Sequence, residues 1–428
     1  MTRVSRRRFL SGGAALGLGV LTGTASGCGS DVSISSDPNE LVLWYWSRSV
    51  SAKLLAEAAQ QIPGTRKRLR ADLISDWDTK LRTSLAGHAY IPDVVGINSN
   101  CSLYFGNEDK FLDLNTLGAA AHRADYYDWK WKLGTTPTGR QLFWPMDIGP
   151  TGFYYRTDLF EKAGLPTSPD DVGAAAHTWD GFLDLGAKLK KDAGLALVAQ
   201  AQTVMDRFLD ASPERYFDAD DKPLFDRPGS AVRRAWDTAV AAAQAGITAN
   251  LQTSNDQNSG WVSGKVAGQV SASWWMSTLI STAPKTKGQW RIAAQPERAG
   301  NYGGSFLGIP STCKDPAAAL AFVTWLTSPG NQAGSFNELG LFPSTPQSFA
   351  TGSMKDTSGF FGEQDPLAFF TQAAKTVPTS FVSGLESQVT AFTTELGNVE
   401  AGGKDPKRAW EDAVALTNKI LTKRGVNA

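Results

Sequence analysis

Leu41-Val42-Leu43-Trp44-Tyr45-Trp46 is the stretch whose reading decides the fold: an unbroken apolar run spelling a short buried strand. Residues 52–60 follow with Leu54, Leu55 and Ala58 at helical spacing. Outward from this pair the alternation continues. Residues 68–74 alternate apolar and polar side chains, residues 79–85 are again helical, and residues 92–97 form another apolar run ending at Asn98. Three strand and helix units in succession predict a mainly parallel sheet with helices on its faces. Ligands of such sheets lie outside the carboxyl ends of the strands, so the segments after Trp46 and after Asn98 point toward one crevice.

Further along, Gln141-Leu142-Phe143-Trp144-Pro145-Met146-Asp147 leads through Gly149-Pro150 into a second apolar strand ending at Tyr155. This is a candidate crossing from one lobe to another. A capping Thr178 precedes a helix carrying Trp179, Phe182, Leu185 and Leu189, which begins a second α/β lobe. Helices are predicted at 232–245 and 278–283, and strands at 265–270 and 291–294. After Gly303-Gly304 the strand-like run 306–309 carries the chain back. Asp315-Pro316 opens the helix 317–326, and residues 405–423 close the chain as an amphipathic helix.

The 428 residues hold 42 basic and 42 acidic side chains. Arg6-Arg7-Arg8 followed by an uncharged stretch to Gly27 reads as an export signal, too short and too rich in small residues to stay in a bilayer. Ser5-Arg6-Arg7-Arg8-Phe9-Leu10 resembles the twin-arginine export pattern. Ala25-Ser26-Gly27-Cys28 resembles a lipobox, with Ala25 where leucine is usual, which implies lipidation of Cys28. The expected product is held on the extracellular face of the cell membrane by a lipid anchor after twin-arginine-type export. Without residues 1–27 the balance is 38 basic against 42 acidic, which gives no reason to expect nucleic acid as a partner. Cys101 and Cys313 either pair in an oxidising compartment or remain two buried thiols. The roughly 400 residues that remain exceed what one core supports, so two lobes are expected.

Several segments, in this order, resemble the extracellular solute-binding protein family 1, the maltose-binding-like carbohydrate-binding lipoproteins of ABC importers. They are Leu85-Ala86-Gly87 with Pro92-Asp93-Val94-Val95; Tyr154 to Leu165 with Thr178-Trp179-Asp180-Gly181-Phe182; Gly264-Lys265-Val266-Ala267 with Ser273-Trp274-Trp275; Gly303-Gly304 through Ala317 to Ser328; and Gly340-Leu341-Phe342-Pro343. Arg156 departs from the asparagine usual at its position. The resemblance implies an α/β, two-lobed periplasmic-binding-protein-like fold of the class II type, its ligand cleft lying between lobes joined by crossing segments. The boundaries that follow are 1–27 for the export signal and 28–39 for a lipid-anchored flexible tether. The N-terminal lobe takes 40–147 and 304–342, and the C-terminal lobe 148–303 and 343–428. The partners implied are a carbohydrate and the permease subunits of an ABC importer, with the protein itself a monomer.

A sugar presents a patch of C–H bonds that packs on an aromatic ring and a set of hydroxyls that need directional partners, so its site combines indoles with carboxylates or amides. The chain has 14 tryptophans. Alternation sends Trp44 and Trp46 to the same side of the first strand, with Trp46 the nearer to a ligand. Trp77 and Asp78, in the turn after the second strand, have two readings: ligand contact, or core and helix cap. Asn98, Ser99 and Asn100 follow the third strand, a place suited to hydroxyls. Trp144 and Asp147 stand at the crossing, with Asp147 the favoured carboxylate. Of the adjacent Trp274 and Trp275 one enters the core and the other faces the sugar, and the resemblance favours Trp274. Gly303 and Gly304 serve as a flexible crossing, as points of close backbone approach to ligand, or both. Trp129, Trp131, Trp179, Trp236, Trp261, Trp325 and Trp410 have core spacing.

Two other readings remain. A secreted glycoside hydrolase needs two carboxylates about 5–10 Å apart across the scissile bond, and no segment pairs two acids at strand ends. Clamps of this kind also carry polyamines, phosphate esters and peptides, but an aromatic cleft without strong charge favours a neutral sugar. No enzyme activity is expected. His88, His122 and His177 have no ligand-like spacing among themselves or with the cysteines, so neither a metal nor another cofactor is expected.

Overall fold

The computed structural model describes residues 32–34, 37–354 and 359–426. The expected export signal and Cys28 lie outside the described residues. Part of the expected tether is paired backbone: Val32–Ser33 run parallel to Ala89–Ile91, and the Ile34 N–H donates to Ile91 O at 3.1 Å.

The apolar run that opens the fold is the strand Glu40–Tyr45, paired in parallel with Arg68–Leu73 on one side and Val94–Ile97 on the other. Alternation divides its side chains as expected. Leu41, Leu43 and Tyr45 pack with Phe322 and Val323 on one face, while Val42, Trp44 and Trp46 pack with Val95 and Phe143 on the other. Each such burial contributes about 1.5–3 kcal/mol, so a slip in register would lose both faces together. Ser51 caps the helix Ala52–Gln60 by accepting the Leu54 N–H at 3.2 Å. Trp77 and Asp78 belong to the first turn of the helix Trp77–Gly87 rather than to the turn before it.

The five-stranded sheet is completed by Phe306–Gly308 and Phe143–Pro145. Phe306–Gly308 comes late in the chain and inserts antiparallel between Val94–Ile97 and Phe143–Pro145, with Leu307 opposite Gly96 and Trp144. A mainly parallel sheet therefore holds one reversed strand, because that strand returns from the other lobe. The second sheet has three strands, Thr151–Arg156 flanked antiparallel by Gly268–Ala272 and Trp290–Ala293. Helices cover it; Thr178 caps Trp179–Ala193 by accepting the Gly181 N–H at 3.0 Å.

Three segments pass between the sheets side by side. Asp147–Ile148 pair antiparallel with Phe342–Pro343, and Pro150 bridges to Asn301. The Met146 N–H donates to Ser305 O at 3.0 Å and the Tyr302 N–H to Gly149 O at 2.8 Å. Gly304 sits among them with φ +83°, and a Cβ there would stand 2.7 Å from Asp147 O. Only glycine satisfies both the left-handed backbone and that approach. Cys101 and Cys313 are both buried free thiols, so the alternative of a disulfide falls away.

Candidate functional site

Between the two sheets lies a cavity of about 400 Å³. Ser99, Asn100, Ser102 and Leu103, just past the strand Val94–Ile97, form one wall with Trp129 and Leu133 of the helix Asp128–Leu133. Opposite them stand Asp206, Arg207 and Asp210 from the last turns of the helix Ala201–Asp210, with Arg215 and Tyr216 beyond it. Asn301, Tyr302 and Gly303 of a crossing segment and several residues of 377–387 complete the lining.

Charge on this wall is organised as a chain. Arg207 reaches Asp210 at 3.0 Å, Asp210 reaches Arg215 at 3.1 Å, and Arg215 reaches Glu386 at 3.0 Å. Burial opposes the charge on Arg215, but Glu386 and Asp210 more than offset it and raise its pKa. Among the described residues Asp206 has no such cationic neighbour in salt-bridge contact. Burial pushes its carboxyl up to about 6, against the opposing pull of Arg207 and with a smaller push from Asp210. The aromatic element is a corner. Trp274 and Tyr302 lie with ring centroids 5.2 Å apart, and the indole N–H donates to Tyr302 O at 2.9 Å. Arg207 lies over the Tyr302 ring.

Of the residues singled out from the sequence, Ser99, Asn100 and Gly303 line this cavity, and Trp274 stands directly behind Gly303, whose Cβ would be 3.1 Å from the indole nitrogen. Asn98 is exposed, and its side chain accepts the Ser99 N–H at 2.7 Å instead of lining the cavity. Trp46 is half-buried and packs edge-on against Trp77 at 5.2 Å. Trp77 itself belongs to the core, and Asp78 beside it influences the buried Tyr104, not the cavity.

Four further candidates are placed outside the lining of this cavity. Trp144 is 1% exposed, its indole N–H engaged by Tyr126 Oη at 2.8 Å and Thr327 Oγ1 at 2.9 Å. Asp147 does lie at the crossing, but it is 4% exposed and accepts the Ser305 N–H at 2.8 Å, which ties two crossing segments together. Trp275 is packed between Tyr154 and Trp261 at 4.8 and 4.9 Å. Gly304 approaches the backbone of Asp147 and Ile148. For Trp144, Asp147 and Trp275 contacts from distant segments claim the side chain.

The profile of the bacterial extracellular solute-binding proteins matches residues 63–333. The chain belongs to this family. The lactose-binding protein of Rhizobium radiobacter is 26% identical over 304 residues, which span 66% of this chain and 69% of that protein. A solved extracellular solute-binding protein of family 1 matches with a TM-score of 0.83 at 26% identity, over 89% of this chain and 99% of its own. The sugar-binding protein MalE of Xanthomonas citri shares the fold at 20% identity, with a TM-score of 0.75 over 90% of this chain and 98% of its own. The two-lobed α/β reading thus holds. Among the described residues of this solute-binding protein, no helix is long and apolar enough to cross a membrane.

Tyr302, Arg207, Asp206, Asp210, Arg215 and Glu386 escaped the sequence reading. Tyr302 could have been found, since it adjoins Gly303-Gly304. Trp129 was assigned to the core, and it is buried with its indole N–H donated to Ala374 O at 2.9 Å, yet one part of it reaches the cavity. Chemically, the solute-binding protein offers in one cavity an aromatic corner, carboxylates that accept hydroxyl hydrogens, and guanidinium and amide donors.

Proposed function

We propose that this solute-binding protein captures a mono- or oligosaccharide in the cleft and delivers it to the permease of an ABC importer, with no chemistry of its own. The observation that supports it most is the placing of Tyr302, 38% exposed, in the cavity wall beside Asp206, Arg207 and Asp210. An aromatic face takes the C–H side of a pyranose, and the polar set takes its hydroxyls. Relatives point the same way: the lactose-binding protein by sequence, and proteins solved with lacto-N-biose and β-1,6-galactobiose by fold. Closure over the ligand follows from the two-lobed architecture, because a ligand touching both walls stabilises the shut form.

In this reading 40–147 with 304–342 and 148–303 with 343–428 move as the two lobes of a monomer. Residues 1–27 are removed after twin-arginine-type export, and a lipid on Cys28 holds the protein at the extracellular face of the cell membrane. Titration calorimetry against a sugar panel tests the core of the proposal. One saccharide at least should bind at a single site, more weakly after Trp274→Ala. Binding of a polyamine, phosphate ester or peptide with no sugar bound, or turnover of a glycan, would sink it.

A further inference from the structure

The charged side chains that line the cavity do not balance. Asp206, Asp210 and Glu386 stand with Arg207 and Arg215, and the rest of the lining is uncharged, so three carboxylates meet two guanidiniums. Both cations are committed. Arg215 holds Glu386 at 3.0 Å and Asp210 at 3.1 Å, while Arg207 holds Asp210 at 3.0 Å and lies over the Tyr302 ring. Asp206 is the carboxylate left over. Among the described residues it joins no ion pair, and its hydrogen-bond partner is the neutral side chain of Gln202. Arg207 and Arg215 attract it from farther off, against Asp210, but burial outweighs them and raises its pKa to about 6.

An ionised carboxylate taken out of water is costly unless a charge of opposite sign comes with it. The facing wall, from Ser99 to Leu103 with Trp129 and Leu133, brings none. Closure over a ligand strips further water from Asp206, so the ligand decides whether the excess charge is met. A hydroxyl donates one hydrogen bond and leaves the charge in place. A protonated amine brings the charge and the donors together, and hydrogen bonds between ionised partners are the stronger kind. We propose that the cleft selects an amino sugar, whose protonated primary amine pairs with Asp206 while its ring lies on Tyr302. The proposal rests on the carbohydrate reading above and adds a charge to it, where the sequence alone favours a neutral sugar.

Calorimetry on the full chain near pH 7 separates the two. The probes are glucosamine, galactosamine and the disaccharide of glucosamine, each against its hydroxyl counterpart and its N-acetyl form, which keep the ring and remove the charge. One amino sugar at least should bind about tenfold or more tighter than both of its neutral counterparts. In Asp206→Asn, its fold checked by circular dichroism, that advantage should shrink to about twofold or less; Asp206→Ala takes its place if the asparagine variant does not fold. A neutral sugar that binds the unaltered protein as tightly as any amino sugar overturns the charge requirement and leaves the carbohydrate reading standing. So does an amino-sugar advantage that survives intact in a folded Asp206 variant. If no saccharide binds, even with spermidine bound in its stead, the carbohydrate reading falls and the charge requirement with it.

Discussion

The Arg207 guanidinium lies 3.4 Å from the centre of the Tyr302 ring, so a cation covers one face of the only aromatic side chain that the crossing segment 301–303 brings into the cavity. The Trp274 N–H holds the Tyr302 carbonyl at the same time. Tyr302 is therefore fixed before any ligand arrives, and stacking on it costs little ordering entropy. Tyr302→Ala should weaken sugar binding about tenfold or more, on the order of 1.4 kcal/mol. Tyr302→Phe should stay within about twofold, since the ring and its cation remain. Calorimetry with the best saccharide decides; an alanine variant that binds normally removes Tyr302 from the site.

Asp206 makes the apo protein less stable than it could be. Its carboxyl is raised from 3.8 to about 6, chiefly by burial. The sign follows from linkage: the protonated form is favoured in the fold, so the associated stability is present below about pH 4 and is lost as the pH rises through about 6. Asp206→Asn should thus raise stability near pH 8 by about 1–2 kcal/mol, less than the full shift implies because the side chain keeps some contact with water. It should flatten the stability profile between pH 4 and 6, and it should weaken ligand binding. Urea unfolding across that pH range checks the first two effects. A variant less stable than the parent at pH 8 contradicts this account.

Arg215 joins two parts of the chain that lie 171 residues apart, through Glu386, while also holding Asp210. Arg215→Met leaves the partly buried Glu386 without its cation and Asp210 with Arg207 alone, and the expected cost is about 3–5 kcal/mol. Adding Glu386→Gln removes the stranded charge and should recover part of the loss. Denaturant unfolding of the single and double variants measures this coupling. Equal losses in both would mean the pair contributes nothing to holding the segment 377–387 in place.

What could be read from the sequence was what neighbouring residues decide. The run Leu41 to Trp46, the caps Thr178 and Asp315, and the polar step Ser99-Asn100 after an apolar strand each carry their meaning within a few residues. The reversed strand Phe306–Gly308 was visible as a strand, but its place between two others is a property of the whole path. Charged side chains of the site were invisible for the same reason. Arg215 and Glu386 meet only because the helix Ala201–Asp210 and the turn Gly384–Gln388 pack on one core. Tryptophans are hard to assign from sequence because an indole at a strand end can face ligand or core, and neighbours from elsewhere choose. Asp147 shows the same limit: its position at the crossing was legible, while its partner, the Ser305 N–H, comes from a segment far along the chain.

Trp144 gives the sharpest contrast between a site residue and a core residue. Thr327 donates its hydroxyl hydrogen to Val323 O at 2.8 Å, so its oxygen is left to accept from the Tyr126 hydroxyl at 3.0 Å and from the Trp144 N–H. The indole also packs edge-on against Tyr126 and Trp131 at 5.8 and 5.7 Å. Trp144→Phe deletes one donor and part of the ring volume, but leaves the Tyr126–Thr327 bond intact. A loss of about 1–3 kcal/mol in stability is expected. Because the side chain has no surface in the cavity, sugar affinity should stay within about twofold of the parent's. Unfolding and calorimetry on the same variant test both halves, and a folded Trp144→Phe protein that has lost tenfold or more in affinity would return Trp144 to the ligand site.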